Sequence, residues 1–554
     1  MDNELPSEFD LIVVGTGLTE SIISAAASRI GKSVLHIDSN DYYGEQWASF
    51  NFKSLHNCTF SNNIKKHTEN SSDLLNFNND SFNIRNFSAE WHVPEKIGIY
   101  CKNDDSKNRQ IESVINDSLK LEENNENSVF LREEILNNSR KFNIDLMPKL
   151  HFARGDFIEL LISSNIARYA EYKSVSRILT WLNNQIEAVP CSRSDVFANN
   201  KVSVIEKRIL MKLLSLVDKN DNTTGKYTIL WGNLQWYNSY FLDSKDKTFL
   251  EFLKSKKLTT NLIHFVLYAI SQGTDSTSCI DGMANTKRFL NSLGRFGKTP
   301  FLFSMYGSGE TTQAFCRLSA VFGGIFALNQ PIAGLKLDNN RVTSLLNGSQ
   351  EIKAEHFVLN IEKAPVELVN NLKVTDYISR AVLITNRSIM PSEQEHLTLL
   401  IYPPEDKGNS VTLIEMGHLT GTCPQNFYLV HLITKQQSNP KDDFKHVVAN
   451  LFESNYTHLQ VDGKPNMLWA CYFSIPNTSD LKLNDNDHLN VHLCDGPDLD
   501  LDYDYTVKKA KDIFQRIYPD IEFLPRAPDP DEIIFGEEEQ SKLNDVCISE
   551  TPPK

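Results

Sequence analysis

Two glycines near the N-terminus have the spacing of a nucleotide-binding turn. Gly15 and Gly17 follow the apolar run Leu11–Val14. In the motif G-x-G-x-x-G, the first glycine permits a tight turn and the second lets the backbone approach a pyrophosphate, while the third allows close packing of helix on strand. Asp38 lies about 20 residues further on, where such folds carry the acid that binds a ribose. This pattern could serve to bind a dinucleotide or a flavin.

The third position of the motif is Glu20 rather than glycine. A carboxylate in the first turn of a helix is favoured by the helix dipole, which is the same field that would hold a phosphate. Glu20 would therefore occupy or repel the pyrophosphate position. Two interpretations remain open: a flavin or dinucleotide is bound despite Glu20, or the fold is used structurally without a cofactor, which Glu20 favours.

Other chemical motifs are absent from the sequence. It contains no GxSxG, no HExxH and no Walker loop, so no catalytic residue and no metal site is predicted. The nine cysteines are scattered without a CxxC pair, which argues against a disulfide framework and a zinc site. Reduced thiols of this kind are typical of a cytosolic protein.

The length of the chain indicates more than one domain, and its net charge argues against some classes of function. The 554 residues exceed what one hydrophobic core usually supports, so at least two domains are expected. The net charge of −15 argues against nucleic-acid binding, because such a chain repels phosphate backbones. Residues 1–10 lack the basic start and apolar run of a signal peptide, and we expect a cytosolic protein.

The pattern of the chain predicts an α/β fold. Residues 9–38 read as strand, helix and strand, which is the opening of a nucleotide-binding sheet. We predict a flavoprotein-like (FAD/NAD(P)-binding) large domain with an inserted small all-α domain. The predicted segments are a discontinuous α/β domain at 1–60 and 295–524, a polar, mobile insertion at 61–138, a helical domain at 139–294, and an acidic, proline-rich, disordered tail at 525–554.

Several segments together resemble the Rab escort protein and Rab GDP dissociation inhibitor superfamily. They are residues 10–20, 34–38, 41–44, 142–146, 168–172, 306–310 and 315–324. Within that superfamily the chain is most similar to the Rab escort protein family, also called the choroideremia protein family. The features that favour it over the inhibitors are the length, the polar insertion, the segment 190–197 and the tail motif 529–534.

This resemblance implies a non-catalytic binding protein without a flavin or other cofactor. Members of the family bind GDP-loaded Rab GTPases, both unprenylated and prenylated, and act as component A of Rab geranylgeranyltransferase, whose catalytic part is an α/β heterodimer. They shield the attached geranylgeranyl groups and contact membranes transiently during delivery. The alternatives are a Rab GDP dissociation inhibitor, which recycles prenylated Rabs, and a flavin-dependent oxidoreductase.

The resemblance also implies a Rab-binding platform on the large domain. The matching residues here are Tyr42, Tyr43, Glu310, Arg317, Phe326 and Ala327. A guanidinium can donate to carboxylates or carbonyls of the GTPase, and a carboxylate can accept from a basic partner. The alternative is a buried Arg317–Glu310 ion pair. Ala327 is smaller than the methionine of the inhibitors, which would transfer its contact to Phe326.

Two further sites follow from the resemblance. Phe197 and Arg208 match the residues that hold the transferase α subunit, although a core phenylalanine and a solvated arginine are the ordinary alternative. The residues expected to line a prenyl pocket are Phe157, Leu161, Leu213, Leu262 and Val266. Ordinary burial in a core explains their pattern as well.

Two surface assignments remain. The apolar residues Val382, Ile384 and Leu400 match the region where the family grips the C-terminal tail of the Rab, and a plain core is again the alternative. The acidic segment 495–504 is rich in aspartate. We expect this segment and the acid clusters of the tail to repel anionic membranes and so to help release after delivery.

Overall fold

The computed structural model describes most of the chain. The described residues are 5–58, 74–77, 82–93, 132–192, 195, 208, 247–339, 341–392, 397–405, 408–454, 463–481, 483 and 490–526. Within these residues, none of the helices has the length and apolar character needed to span a bilayer.

The strands β1 to β21, in chain order, are Glu8–Val14, Val34–Ile37, Ser49–Phe50, Leu74–Asn76, Arg85–Trp91, Ile144–Asp145, His151–Phe152, Tyr172–Ser174, Arg177–Leu182, Gln185–Ala188, Phe301–Ser304, Ile325–Ala327, Ile332–Asp338, Arg341–Asn347, Gln350–Asn360, Tyr377–Thr385, Leu397–Tyr402, Val411–Met416, Tyr428–Lys435, Met467–Pro476 and Val491–Cys494. The helices α1 to α12 are Leu18–Arg29, Phe52–His56, Arg132–Asn137, Asp156–Ser163, Phe249–Ser255, Thr260–His264, Cys279–Ser292, Gly309–Val321, Val366–Val369, Pro440–Asp443, Lys445–Leu451 and Asp504–Ile517.

The first sheet carries the glycine motif. Its order is β12-β2-β1-β15-β14-β13-β4, and β21 also pairs with β15. The strands β2, β1 and β15 are parallel, as are β12 with β2 and β21 with β15. The stretch of β1 from Leu11 to Val14 is apolar and fully buried, as expected of a parallel strand that is covered on both faces. The predicted strand–helix–strand opening and α/β class are confirmed.

Three long helices, α1, α8 and α12, share a core with one face of this sheet. The side chains of α1 are almost all buried, and they pack with α8 and α12 in one core. Burying Leu18, Ile22 and Ile23 contributes about 1.5–3 kcal/mol each. The first sheet and α8 are thereby fixed against each other, and α8 later forms one wall of the candidate site.

The second sheet lies between two other cores. Its order is β10-β9-β17-β18-β19-β16-β20-β5, antiparallel except for β9 beside β17. All ten residues of β20 are buried. One core contains the apolar side of α5, α6 and the π-helical turn Phe265–Ile270, and the other contains α11.

The structure corrects the predicted segments at two places. Within the predicted polar insertion, β4 pairs with β13 and β5 pairs with β20, so these residues belong to the folded sheets. Within the predicted all-helical segment, β9 pairs with both β10 and β17. The strand β4 has only three residues, and β5 and β9 lie beside partners distant in sequence, so local periodicity signals them weakly. The remaining domain boundaries stay a prediction.

Candidate functional site

A groove of about 330 Å³ brings together residues from distant parts of the chain. Four of the residues predicted to bind a Rab line it, namely Tyr43, Glu310, Arg317 and Phe326. Tyr43 follows β2, Phe326 lies in β12, and the other two lie on α8. The parallel pairing of β12 with β2 places these two strands next to each other.

The exposed face of α8 forms one wall of the groove. Glu310, Gln313 and Arg317 follow the helical spacing i, i+3 and i+7, so they lie on one face. The small residues Ala314 and Ala320 of the same helix also line the groove. Gln313 was missed from the sequence, although the helical spacing from Glu310 could have found it.

Arg317 is exposed and rests on an aromatic ring. Its guanidinium carbon lies 5.1 Å from the centre of the Tyr169 ring, which also lines the groove. A cation–π contact orients the guanidinium while leaving its donors free for a partner. Because Arg317 is exposed and Glu310 is only half-buried, the two do not form the buried ion pair considered as the alternative. Tyr169 was missed as a site residue.

Glu310 lies at the start of α8. Burial raises the pKa of its carboxyl, and the negative charge of Asp145 raises it further. The turn that precedes α8 is anchored by Asp145, which accepts a hydrogen bond of 2.9 Å from the Ser308 amide and another from the Ser49 hydroxyl. The Gly309 amide donates to Ser49 Oγ over 2.9 Å. Residues of β3 and β6 thus satisfy the first amides of α8.

The opposite wall of the groove is aromatic. The ring centres of Tyr43 and Phe326 are 6.3 Å apart, and Phe326 also packs on His36 at 4.8 Å. Ala327 points the other way and is buried in the core beneath the sheet, since neighbouring residues of a strand face opposite sides. Tyr42 packs edge-on against Phe50 at 4.9 Å and does not line the groove.

The glycine motif is filled by side chains of the protein itself. Gly15 has a φ of +96°, and a Cβ built on it would lie 2.6 Å from Cβ of Asn360. A Cβ on Gly17 would lie 2.4 Å from the Glu20 carboxylate. Asn360 donates to that carboxylate over 2.8 Å. Burial raises the pKa of Glu20 to about 8.

Asp38 is likewise hydrogen-bonded within the protein. Its Oδ2 accepts hydrogen bonds from the Thr16 hydroxyl at 2.8 Å and from the Thr16 amide at 3.1 Å. Glu20 and Asn360 lie over the glycines, where a pyrophosphate would approach. Asp38, the acid that would bind a ribose, already accepts two hydrogen bonds from Thr16. The residues present therefore do not fit a flavin or dinucleotide.

The residues expected to line a prenyl pocket lie in two different cores. Phe157 and Leu161 of α4 pack in the core of α1, α8 and α12. Leu262 and Val266 pack beneath the second sheet. The described structure does not bring the two pairs together, because α4 packs on α12, where the Phe157 amide donates to Asp504 over 2.9 Å. Leu213 lies outside the described residues.

The structure describes only part of the predicted transferase contact. Phe197 lies outside the described residues, whereas Arg208 is described and exposed. The residues expected to grip the Rab tail, Val382, Ile384 and Leu400, are fully buried in the second sheet. They are core residues, and that expectation is wrong for the folded chain as described.

The aspartates of 495–504 are largely internal. Asp498 pairs with the buried Lys149 at 2.6 Å. Arg288 of α7 binds both Asp502 and Asp504. Asp495, Asp498 and Asp502 are each less than 5% exposed. The predicted repulsion of membranes is therefore wrong for the buried aspartates of this segment, because their charges are used to hold the fold. The acid clusters of the tail lie outside the described residues.

Comparison with known proteins identifies the family. Residues 1–82 match the family described as GDP dissociation inhibitor, and residues 378–499 match RAE1/2 domain I, C-terminal region. The chain is 36% identical to a Drosophila melanogaster protein named Rab proteins geranylgeranyltransferase component A, covering 99% of this chain and 96% of that protein. Human component A 2 is 34% identical, with 98% and 95% covered.

The chain belongs to the Rab geranylgeranyltransferase component A family. The family predicted from the sequence is thus confirmed. An inhibitor relative is more distant: guanosine nucleotide diphosphate dissociation inhibitor 2 of Arabidopsis thaliana is 24% identical, with 91% of this chain and 99% of that protein covered.

A solved structure supports the fold of this component A family member. The RAB GDI of Plasmodium falciparum matches with a TM-score of 0.62 and 18% identity, covering 93% of this chain and 99% of the other. At that identity the similarity establishes the fold alone, which agrees with the predicted α/β class.

Proposed function

We propose that the chain is a Rab escort protein. It binds newly made, GDP-bound Rab GTPases and presents them to the α/β heterodimer of Rab geranylgeranyltransferase. It then shields the attached geranylgeranyl groups and delivers the Rab to membranes from the cytosol. The observation that carries the proposal is the convergence of Tyr43, Glu310, Arg317 and Phe326 on one groove in a chain related to component A over its full length.

The chemistry of the groove suits a protein partner with both polar and apolar surface. Arg317 offers up to five donors in a fork that matches carboxylates and carbonyls. Glu310 offers an acceptor at the start of the same helix face. Tyr43 and Phe326 supply a large aromatic contact area, which is typical of residues that dominate binding energy.

The proposed role is accessory rather than catalytic. The catalytic machinery belongs to the heterodimer, and this chain contributes the binding of the Rab substrate. Arg208 is exposed, as a contact with the α subunit requires, and Phe197 is proposed to act with it. For the lipid, Leu262 of α6 and Val266 of the π-helical turn remain the proposed site, since both are apolar and lie in the core beneath the second sheet.

A GDP dissociation inhibitor is the second candidate. Tyr43 of the groove lies within the N-terminal match at 1–82 to that family. The higher identity to component A proteins favours the escort function over this alternative. A flavin-dependent oxidoreductase is disfavoured by Glu20 and Asn360, which fill the motif, and its purified form would absorb in the flavin bands.

A prenylation assay tests the proposal. Purified full-length chain is mixed with the heterodimer, a GDP-loaded Rab and labelled geranylgeranyl diphosphate. We expect labelled Rab only when the chain is present. A Rab GDP dissociation inhibitor added in its place should give no labelled product. If no labelled Rab forms with the chain either, but the chain extracts prenylated Rab from membranes, it is an inhibitor and the escort proposal is wrong.

A further inference from the structure

The Tyr43 loop, residues 39–48 between β2 and β3, carries one wall of the groove. Its backbone is tight at Gly44, where φ is +107° and an added Cβ would lie 2.9 Å from Cα of Ala48. The Gly44 amide belongs to the same peptide plane as the Tyr43 carbonyl. Whatever binds that amide therefore also fixes the backbone of Tyr43.

The partner of this amide comes from the glycine motif. The Gly44 N–H donates to the Thr16 hydroxyl oxygen over 3.0 Å. The same hydroxyl donates its own hydrogen to Asp38 over 2.8 Å. Thr16 and Asp38 are completely buried, so water does not compete for these bonds. A relay of two hydrogen bonds thus joins Asp38 to the backbone of the Tyr43 loop.

The other oxygen of Asp38 holds the start of the same loop. Asp38 Oδ1 accepts from the Asn40 amide at 2.8 Å. The Asn40 side chain donates to Glu45 over 2.7 Å, which ties the start of the loop to its end. The ammonium of Lys363 lies 3.8 Å from Asp38 and 3.7 Å from Glu45, so it neutralises part of their charge.

We propose that the glycine motif, emptied of its cofactor role, supports the Tyr43 loop, and that Thr16 is a positioning residue for Rab binding. The ribose-binding acid of a dinucleotide fold accepts hydroxyls from its ligand. Here Asp38 accepts a hydrogen bond from the Thr16 hydroxyl. The same hydroxyl binds the Gly44 amide, and so holds the backbone of Tyr43 in place. The inference rests on the proposed function, because it concerns the same groove.

Two variants test the role of Thr16. Thr16→Val keeps the shape of the side chain but removes the hydroxyl, leaving the Gly44 amide without its partner. We expect an affinity for GDP-bound Rab about tenfold lower, since a buried unsatisfied amide is costly. Thr16→Ser restores the hydroxyl and should bind like the unaltered chain. Unchanged affinity in Thr16→Val overturns the proposal.

The matched control is Thr19→Val. Thr19 is also fully buried, but its hydroxyl has no hydrogen-bond partner within the described part of the chain. This substitution should leave the affinity unchanged, which separates the effect of the relay from a general effect of the mutation. A loss in Thr19→Val as large as that in Thr16→Val overturns the proposal.

A double variant asks whether Thr16 acts through Tyr43. In a Tyr43→Ala background, Thr16→Val should cause little further loss, because the contact that it positions is already gone. An equal further loss means that Thr16 acts elsewhere and overturns the proposal.

Amide hydrogen exchange separates this inference from the proposed function. The Gly44 amide should exchange slowly in the unaltered chain and at least tenfold faster in Thr16→Val, with Thr16→Ser close to the unaltered chain. If the chain binds no Rab but Gly44 is protected in this way, the proposed escort function is wrong, whereas the proposal that Thr16 holds the Tyr43 loop is supported. If Gly44 exchanges equally in all forms, the inference is wrong even where binding is intact.

Discussion

Arg317 shows how a single charged side chain is held ready for a partner. The Tyr169 ring lies against its guanidinium, which is otherwise exposed. Replacing Arg317 by alanine removes the donors and the cation–π contact together. We expect Arg317→Ala to lower the affinity for GDP-bound Rab at least tenfold, measured by titration calorimetry. Arg154→Ala removes an exposed arginine outside the groove and should have no effect; similar losses in both would contradict the assignment.

Glu20 makes the stability of the fold depend on pH. Its folded pKa is about 8, above the ordinary value of 4.5. Its contribution is therefore fully present below about pH 4.5 and is lost as the pH rises through 8, by about 1.4 kcal/mol per pH unit in between. Glu20→Gln should thus gain stability relative to the unaltered chain as the pH rises.

Thermal melts at several pH values measure this effect. The difference in melting temperature between Glu20→Gln and the unaltered chain should widen from about pH 5 to about pH 8. The exposed Glu367→Gln serves as the control and should run parallel to the unaltered chain. Parallel curves for Glu20→Gln as well would mean that the Glu20 carboxyl is ionised in the fold.

At the scale of elements, the start of α8 depends on a neighbouring strand. Ser49 of β3 accepts from the Gly309 amide and donates to Asp145. Ser49→Ala should lower the free energy of unfolding by about 1–2 kcal/mol, because both groups lose a partner. Chemical denaturation measures it, with the exposed Ser54→Ala as the control. An unfolding free energy within the error of the control would show that water replaces Ser49.

Some of these elements could be predicted from the sequence alone. The β1–α1–β2 unit is local, and its apolar run, glycines and helical spacing predict it directly. The convergence of Tyr43 and Phe326 could not be derived in this way, because it depends on the pairing of β2 with β12. The family resemblance supplied those residues. It missed Tyr169, whose role becomes visible only when the segment 166–169 is folded against α8.

Strands whose partners are distant in sequence are the weakest part of the prediction. The polar composition around β5 predicts an insertion, whereas in the structure β5 pairs with β20, nearly 400 residues further along the chain. Buried residues such as Val382 and Leu400 were ambiguous for the opposite reason. An apolar strand looks the same whether its residues bind a partner or fill a core.

Ion pairs between distant segments hold the molecule together. Arg288 of α7 binds Asp502 and Asp504 at the start of α12, and Asp502 is almost fully buried. Arg288→Ala leaves that carboxylate unpaired and should cost about 2 kcal/mol of unfolding free energy, less than for a fully buried pair since Arg288 is partly exposed. Urea denaturation measures the loss. Lys287→Ala removes the neighbouring cation and should change the free energy of unfolding little. An equal loss in both variants would mean that the change to alanine within the helix, rather than the broken ion pair, causes it.

The net charge of −15 has a different meaning once the aspartates are located. Part of the acid content near the C-terminus lies inside, paired with Lys149 and Arg288. The overall sign still argues against nucleic acid. It gives no support to repulsion from membranes by the segment 495–504.

The packing of α12 on α1 has a consequence for shortened chains. The first sheet is completed by β21, and the core around α1 is closed by α12. A chain that stops before residue 491 would contain every residue of the groove yet lack both elements. Its apolar α1 surface would stay open to water and to quality control in the cell. Such truncations should therefore act by loss of protein abundance, even though the binding residues themselves are still encoded.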